Sequence, residues 1–446
     1  MLRYTEKTMD VDVCIIGQGL TGLVAALKLK AAGRSVLLLE KDKMSGGLAG
    51  DMPLGNTRIE HIYHHCFAND FSLIELLYTL DIEDRLQWYE PKNGLFSNGH
   101  LYSFTTPLDL LSCRSISLPD RIRTGLTVLQ AKRVNDWKPL EHETARDYLV
   151  RRSGKTAYER IWQPLLLAKF GDDADSVSAV WIWNKFKVRG ASRDKSQRAE
   201  KLGYLKDGFG TLVSAIVEKL KADDEKRVTL MNNVEVEAIE KTKTGFEIQT
   251  NDGTHKAKQV IAAVAAPMFN HLTKTLDLGT YRDLLNVTKY KANICLLLSF
   301  DRQVTPYYWT TICDDLPFVV IVEQTNLVAK EVYGSHLLYL SCYLDTSDPL
   351  WLKNDDEIEA QFLAGLWSLF PDAEGSFQKK LSLIRSQYAQ PVIPTLYSQK
   401  QPGIRTPIEG LYLAGMSQIY PEDRGLNYAI KLGKDVAKAV LEKNDV

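Results

Sequence analysis

Apolar residues in this chain come in short runs whose spacing changes from region to region. Positions 13–16, Val-Cys-Ile-Ile, form an unbroken apolar run, as in a strand buried on both faces. Positions 23–32, rich in Ala, Leu and Lys and stopped by Gly33, read as a helix. Positions 35–39 are a second apolar strand, ended by Glu40. Asn98-Gly99 sits between two aromatic-rich runs in 96–104, which predicts a hairpin. The stretch 144–171 is helical with Pro164 as a break, and Trp181 and Trp183 follow it. In 203–220 glycine turns precede an amphipathic helix in which Leu212, Ile216 and Leu220 recur every four residues. Strands are predicted at 228–230, 234–239, 245–250 and 259–266, then at 294–300, 318–322, 337–343 and 411–414. A last helix is predicted over 427–441.

The stretch 107–137 is helical in pieces. Leu108, Leu111, Leu118, Ile122 and Leu126 alternate there with Arg114, Arg121 and Arg123. Such a stripe predicts a core-facing helix, with membrane docking as the other use of the pattern.

Composition narrows the class without naming it. At 446 residues the length suits about three domain-sized units. A net charge of −1 offers no electrostatic footprint for nucleic acid. Cys14, Cys66, Cys113, Cys295, Cys313 and Cys342 are scattered, with no paired spacing, and read as reduced thiols. The first ten residues are polar, and no apolar run approaches the ~18 residues of a membrane span. A cytoplasmic protein is expected, with peripheral membrane contact left open and the oligomeric state unread.

The chemistry starts in the first turn. Gly17, Gly19 and Gly22 form G-x-G-x-x-G between strand and helix, and Glu40 ends the second strand, which together make the unit a dinucleotide requires. Gly17 allows the tight turn, Gly19 lets a pyrophosphate approach bare backbone, and Gly22 lets helix pack on strand. The helix start offers unpaired N–H groups to the phosphates. Glu40 suits a ribose hydroxyl and disfavours a 2′-phosphate, so FAD or NAD is expected over NADP. A Gly46-Gly47 pair follows, where backbone again turns sharply or approaches something closely.

His61, His64 and His65 are tightly spaced, but no acid or thiol stands at a ligand spacing, so no metal is expected. Two readings remain: histidines hydrogen-bonded at a domain seam, or His64 and His65 as polar groups at a reaction centre. Glu323 directly follows the apolar run 319–322, so a buried carboxylate with a perturbed pKa is expected. It is either an acid paired with Arg or Lys, or an active-site acid/base with Gln324 and Asn326 beside it. Tyr307, Tyr308 and Trp309 either wall a pocket or pack a core. Glu422, Asp423 and Arg424 read as a salt-bridged corner.

Strand, G-x-G-x-x-G, helix, strand, Glu40 and then Gly46-Gly47 resemble the superfamily of FAD-dependent amine oxidases, protoporphyrinogen oxidases and phytoene desaturases. The end of the chain resembles it too: strand 411–414, Gly415, and a helix opened by Gly425, Leu426, Asn427 and Tyr428. Met416 and Leu48 stand where the family often has Asp and Arg, and Asp207 stands where it has the first Gly of a G-G-x-x-x-L motif. The resemblance implies an α/β fold: a Rossmann-like FAD-binding domain, plus an α+β substrate domain with a mixed or antiparallel sheet. The first is placed at 1–60, 201–283 and 404–446, the second at 61–200 and 284–403. Non-covalent FAD is expected to contact Gly17, Gly19, Leu20, Gly22, Glu40, Lys41, Gly46, Gly47, Leu48, Val236, Ala263, Gly415, Met416, Gly425, Leu426 and Asn427. Catalytic candidates are Glu323, His64, His65 and Asn326. The implied activity is hydride transfer from a small organic substrate to flavin N5. Two alternatives share the architecture. One is a non-redox flavoenzyme resembling UDP-galactopyranose mutase, with Arg189, Arg193 and Arg198 as candidates for gripping a diphosphate. The other is a non-catalytic escort resembling Rab GDP-dissociation inhibitors.

Overall fold

The computed structural model describes residues 10–106, 109, 116–191, 200–222 and 225–442, without the side chains of 189–191. Leu108, Leu111, Cys113, Arg114, Arg193 and Arg198 lie outside the described residues, as does the Arg189 side chain.

The first apolar run becomes β1 (Asp10–Ile16), followed by α1 (Leu20–Ala31) and β2 (Val36–Leu39). β1 is parallel to β2 on one side and to the strand Gly253–Ala262 on the other. Val228–Met231 extends the sheet beyond β2. The long strand Gly253–Ala262 has two neighbours on its far side. Its first half pairs with the antiparallel meander Phe246–Thr250 and Val236–Lys241, and its second half takes Leu411–Leu413 in parallel. Register aligns the carboxyl ends. Ile16 lies opposite both Leu39 and Ala262, and Ala262 opposite Leu413. The residues that follow, Gly17, Glu40, Ala263 and Ala414, therefore share one edge of the sheet, where open α/β sheets bind ligands.

The strand expected to run to 266 stops at Ala262. Beyond it the backbone must pass over two glycines. A Cβ on Gly17 would lie 2.7 Å from the Ala263 carbonyl oxygen, and one on Gly415 2.3 Å from that of Val264.

A second, mostly antiparallel sheet runs in the order Phe377–Pro391, Tyr290–Phe300, His336–Leu344, Val320–Glu323, Trp309–Ile312, Asn93–Ser97, His100–Ser103. Asn98 and Gly99 turn the hairpin at its edge with φ of 53° and 72°, the paired positive values a two-residue turn needs. Alternation divides its faces. Cys295, Leu297, Val320, Val322, Leu337 and Tyr339 join the core that includes β1 and α1. Ile294, Leu296, Ile321, Leu338 and Leu340 face the helix Asp355–Leu369 instead.

Helices between residues 118 and 191 form a third layer around Trp162, Trp181 and Trp183. Pro164 sits in the first turn of Gln163–Phe170, after a π-helical segment, Tyr158–Trp162. Here the expected core-facing stripe is reversed. Leu118, Ile122, Leu126 and Leu129 on Leu118–Ala131 are 57, 50, 50 and 55% exposed. Thr124, Thr127 and Ala131 face inward, and the Ser153 and Thr127 hydroxyls lie 3.2 Å apart. Small residues let this helix approach its neighbours closely, and the bulky apolar ones are left outside. Among the described residues no helix is long and apolar enough to cross a membrane, and Cys14, Cys66, Cys295, Cys313 and Cys342 are free thiols.

Candidate flavin site and its inner wall

The glycines of the first turn differ in what the fold asks of them. Gly17 has φ +101°. A Cβ on Gly22 would lie 2.1 Å from the Gly17 carbonyl oxygen and 3.3 Å from Ile15 Cγ2, so α1 could not sit on β1. Gly19 is different. It caps α1 at φ −69° and ψ 173°, which any residue adopts, and a Cβ there meets nothing within 4 Å. The protein does not need glycine there; a ligand approaching the backbone does. The Gly46-Gly47 loop closes against this turn. Gly46 N–H donates to Gln18 O at 2.9 Å, and a Gly47 Cβ would lie 3.3 Å from Gly19 Cα. Leu48 is half-buried in the short turn Gly47–Ala49.

Glu40 is buried at the end of β2. Its carboxylate accepts N–H from Gln18 at 2.8 Å and from Asp42 at 3.1 Å. Gln18, fully buried, donates to Leu38 O and Met231 O. Val234 N–H reaches Glu40 O at 2.8 Å, which brings half-buried Val236 towards the same end of the sheet. Lys41 is exposed just beyond.

The C-terminal helix, Leu426–Leu441, packs along α1. A Cβ on Gly433 would lie 2.6 Å from Thr21 O, and Thr21 Oγ1 donates to Ala429 O at 3.1 Å. The first turns of the two helices therefore touch. Each is capped by a glycine with no side-chain hydrogen bond. Two sets of first-turn N–H groups and two positive dipole ends face one cleft. Glycine faces, an acid at the ribose position and uncapped helix starts are the donor set that FAD fits.

The inner wall of the site is built around Asp423 and Arg424, directly before the last helix, by side chains from the second sheet, the third layer and the loop 61–65. His64 Nδ1 lies 2.6 Å from Ile62 O. A carbonyl only accepts, so Nδ1 carries the proton and Nε2 is the bare acceptor. Burial pushes the His64 pKa down to about 4; the Ile62 carbonyl opposes this and Arg424 adds to it. Tyr63 packs edge-on to Trp309 and Tyr339 at 5.1 and 5.9 Å. Arg424, directly before Gly425, donates from Nη2 to the Tyr343 hydroxyl at 2.6 Å and from Nε to Gln390 Oε1 at 2.9 Å. Asp423 is buried, with Lys185 Nζ at 2.5 Å and Lys169 Nζ at 3.8 Å. Burial works against its charge, yet Lys185, Lys169 and Arg424 hold it well below the usual carboxylate range.

Residues 20–441 match the model of the flavin containing amine oxidoreductases. The chain belongs to this family. It is an FAD-dependent oxidoreductase. The flavoprotein is 23% identical to 15-cis-phytoene desaturase of Capsicum annuum, over 98% of this chain and 79% of the relative. Cyclohexylamine oxidase from Brevibacterium oxydans shares its fold with a TM-score of 0.72 at 17% identity, covering 97% of this chain and 98% of that one. Reduced UDP-galactopyranose mutase does so at 0.73 and 15%, covering 97% and 94%.

The flavoprotein brings some of the sequence candidates together and separates others. Gly17, Gly19, Gly46, Gly47, Ala263 and Gly415 lie together at the carboxyl edge of the parallel sheet, and Gly425 opens the helix beside α1; Leu20 is buried and Gly22 is packed between the Gly17 carbonyl and Ile15. Half-buried Met416 opens a short turn tied by Gln418, whose amide oxygen accepts Gly415 N–H at 2.6 Å. The Asn427 side chain turns away. Its Oδ1 accepts N–H from Ser72 and Leu73 at 2.8 and 3.2 Å, so it caps the helix Phe71–Thr79, while Leu426 is buried. Asp207 adopts φ +65°, the left-handed conformation a glycine would take in its motif.

Glu323 does not reach the cleft. By alternation it shares the face of Ile321, turned away from the nucleotide sheet. It is fully buried and accepts N–H from Val304 at 3.1 Å and Thr305 at 2.6 Å. Its hydrogen-bond partners are backbone amides, with His336 Nδ1 3.8 Å away, and no Lys or Arg pairs with it among the described residues. Asn326 secures the same loop, donating to Thr305 O and Tyr307 O at 2.7 and 2.8 Å. Both are corrected from catalytic candidates to supports of one loop. Tyr308 is core, its hydroxyl 3.1 Å from His65 Nδ1, and His65 lies among Phe67, Tyr308 and Trp309. Sequence reading missed Tyr63, Tyr343, Lys169, Lys185 and Gln390. Arg424 and Asp423 were visible only as a charged corner before the last glycine-started helix. Among the described residues no group of three or more His, Cys, Asp or Glu could hold a metal.

Proposed function

We propose that the substrate is held between Tyr63, His64, Tyr343 and Arg424 and is oxidised at carbon. The observation that carries this reading is the half-buried His64 ring, its Nδ1 held 2.6 Å from Ile62 O, next to Tyr63, which packs on Trp309 and Tyr339. Bound flavin supplies the hydride acceptor. The chain supplies orientation and electrostatics. The first turn of Leu426–Leu441 stabilises negative charge at the cleft through its N–H groups and dipole. With a pKa of about 4, His64 acts as a hydrogen-bond acceptor that orients a substrate hydroxyl or amine, not as a carrier of protons at neutral pH. The proposed division into an FAD domain and a substrate domain puts the reacting carbon at their seam. Anaerobic bleaching of the flavin by members of a panel of sterols, carotenoid-like isoprenoids, amines and nucleotide sugars tests the reading. If none bleaches it, and only the pre-reduced protein converts a nucleotide sugar, the mutase-like alternative replaces it.

His64 also makes a stability prediction. Its folded pKa lies below the unfolded value, so between about pH 6.5 and 4 the unfolded chain takes up a proton that the folded chain refuses. Stability falls as pH falls through that window, by up to about 3 kcal/mol from this group. His64→Gln, compared with wild type in urea melts from pH 7 to 4, is expected to show the shallower slope. Equal slopes would remove the buried-neutral assignment.

We further propose that the outward apolar face of Leu118–Ala131 rests on an anionic lipid surface. Exposed Arg123, Lys132 and Arg133 lie on or just after the helix, beside Ile122, Leu126 and Leu129, an arrangement that suits an interfacial helix. Vesicles with phosphatidylglycerol should sediment the wild type. Leu126→Glu with Leu129→Glu should cut the bound fraction at least tenfold with the melting temperature unchanged. Vesicle binding that is equal in the two, or a wild-type dimer that this pair of changes dissolves, would sink the lipid reading.

A further inference from the structure

Residues 61–65 form one short loop between the strands Thr57–Glu60 and Cys66–Phe67, and they bring Tyr63, His64 and His65 to the wall. Side chains on such a loop stand where its scaffold puts them. Both ends of its neck are tied to one buried strand, Leu202–Leu205. At the far end Cys66 pairs with Gly203 in an antiparallel ladder, and a Cβ on Gly203 would lie 2.5 Å from Cys66 Sγ. At the near end a side chain makes the tie. Glu60 is 1% exposed, and its carboxyl group accepts the Tyr204 O–H at 2.6 Å. Tyr204, the next residue along that strand, is itself buried.

Glu60 fixes more than the strand. Its second carboxyl oxygen accepts the Phe209 N–H at 2.5 Å, in the turn that opens the helix Gly210–Lys221. Its backbone carbonyl accepts the Tyr339 O–H at 2.6 Å, from the second sheet. Phe209 in turn stands edge-on to the His64 ring at 6.4 Å, and Tyr339 edge-on to Tyr63 at 5.9 Å. The turn before Phe209 is shaped around this acid. Asp207 and Gly208 take φ of 65° and 80°, and a Cβ on Gly208 would lie 2.9 Å from Glu60 Oε1. Left-handed backbone at a residue such as Asp207 persists where its surroundings fix it. Burial pushes the Glu60 pKa up, and the Tyr204 and Phe209 donors oppose it.

We infer that Glu60 and Tyr204 are a positioning pair: together they close the neck of loop 61–65 and so set where Tyr63 and His64 stand in the site. This deepens the reading that the substrate lies against Tyr63 and His64, and rests on it. Both residues act through the loop, not on the reacting carbon. A shift of about 1 Å in a group that orients a substrate costs on the order of a hundredfold in rate.

Four variants of the flavin-loaded protein test this. Tyr204→Phe removes one hydroxyl and leaves the ladder at Cys66 in place. Glu60→Ala removes the whole tie. Glu60→Gln keeps an acceptor for Phe209 and offers an amide N–H to the Tyr204 oxygen. Trp183→Phe loses a different buried hydrogen bond, to Ala131 O at 3.0 Å in the third layer, and controls for lost stability alone. Reaction of His64 with diethyl pyrocarbonate at pH 7, located by tandem mass spectrometry, reads the loop without any substrate. The rate is expected to rise about fivefold or more in Tyr204→Phe and Glu60→Ala as the loop opens locally. It matches wild type in Glu60→Gln and Trp183→Phe. In the two broken-neck variants the His64 ring, followed by NMR, titrates above its wild-type value of about 4 because it gains water. Equal His64 reactivity in wild type and Tyr204→Phe, or an equal rise in Trp183→Phe, would overturn the inference. If Glu60→Ala does not fold, Tyr204→Phe decides alone. Anaerobic bleaching with each active member of the sterol, isoprenoid, amine and nucleotide-sugar panel separates the two readings. The half-saturating concentration is expected to rise about tenfold in Tyr204→Phe, with a smaller change in the limiting rate. Raised His64 reactivity with unchanged half-saturation upholds the neck and removes His64 from the substrate site.

Discussion

Gly19→Glu yields a folded protein without flavin. A Cβ at Gly19 meets nothing within 4 Å, and its φ of −69° suits any residue, so β1, the turn and α1 form as before. The added carboxylate then occupies the approach to the α1 helix start and repels phosphate there. Affinity for FAD is expected to fall more than a hundredfold, about 3 kcal/mol. The measurement is visible absorbance per protein, with thermal melts with and without added FAD. Wild type gains stability from FAD by mass action and the variant does not, while their FAD-free melts coincide. Gly22→Ala behaves differently, because its Cβ would lie 2.1 Å from the backbone oxygen of Gly17. That variant loses stability with or without FAD. A fully yellow Gly19→Glu protein would show that the pyrophosphate lies elsewhere.

Glu323→Ala destabilises the protein and leaves turnover per bound flavin intact. The change strips the amides of half-buried Val304 and buried Thr305 of their acceptor. Each orphaned N–H costs about 1–3 kcal/mol, so a loss of about 2–5 kcal/mol is expected in urea melts. The pH dependence has a defined sign. Burial pushes the Glu323 pKa up to about 8 against the two amides. A raised folded pKa means that the stabilisation is full below the unfolded value near 4.5 and is lost as pH rises towards 8. The gap between wild type and variant is therefore widest in acid and narrows in base. A collapse of turnover at unchanged stability would return Glu323 to the active site.

Much of the fold was legible because its signals are local. The strand, glycine turn, helix and acid of residues 10–40 lie within one βαβ unit, and Gly22 acts there through Gly17 and Ile15, a few residues away. The Asn98-Gly99 hairpin and the amphipathic 210–221 helix were legible for the same reason. Misreadings arose where a side had to be chosen. The stripe of Leu118, Ile122 and Leu126 has helical spacing whichever way it faces. Close packing through Thr124, Thr127 and Ala131 turned it outward. Glu323 was recognisable as buried, yet which face of the sheet it enters follows from strand alternation and from the helix Asp355–Leu369 covering that face. Asn427 looked like a cofactor contact because it opens a helix. Its partner is the start of another helix more than 350 residues earlier in the chain.

The sequence by itself determined that the chain is built to take a dinucleotide, and it pointed to the carboxyl edge of a parallel sheet. Glycine geometry, helix-start N–H groups and a strand-end acid are properties of adjacent residues, so their spacing states their use. Only the tertiary structure decided which side chains gather around the Arg424 that precedes the last helix. His64, Lys169, Trp181, Lys185, Tyr343, Gln390 and the Asp423-Arg424 pair come from stretches scattered along the chain and carry no shared motif. Burial, charge and hydrogen bonding act through space, and these side chains meet only when two sheets and a helical layer close around one cleft.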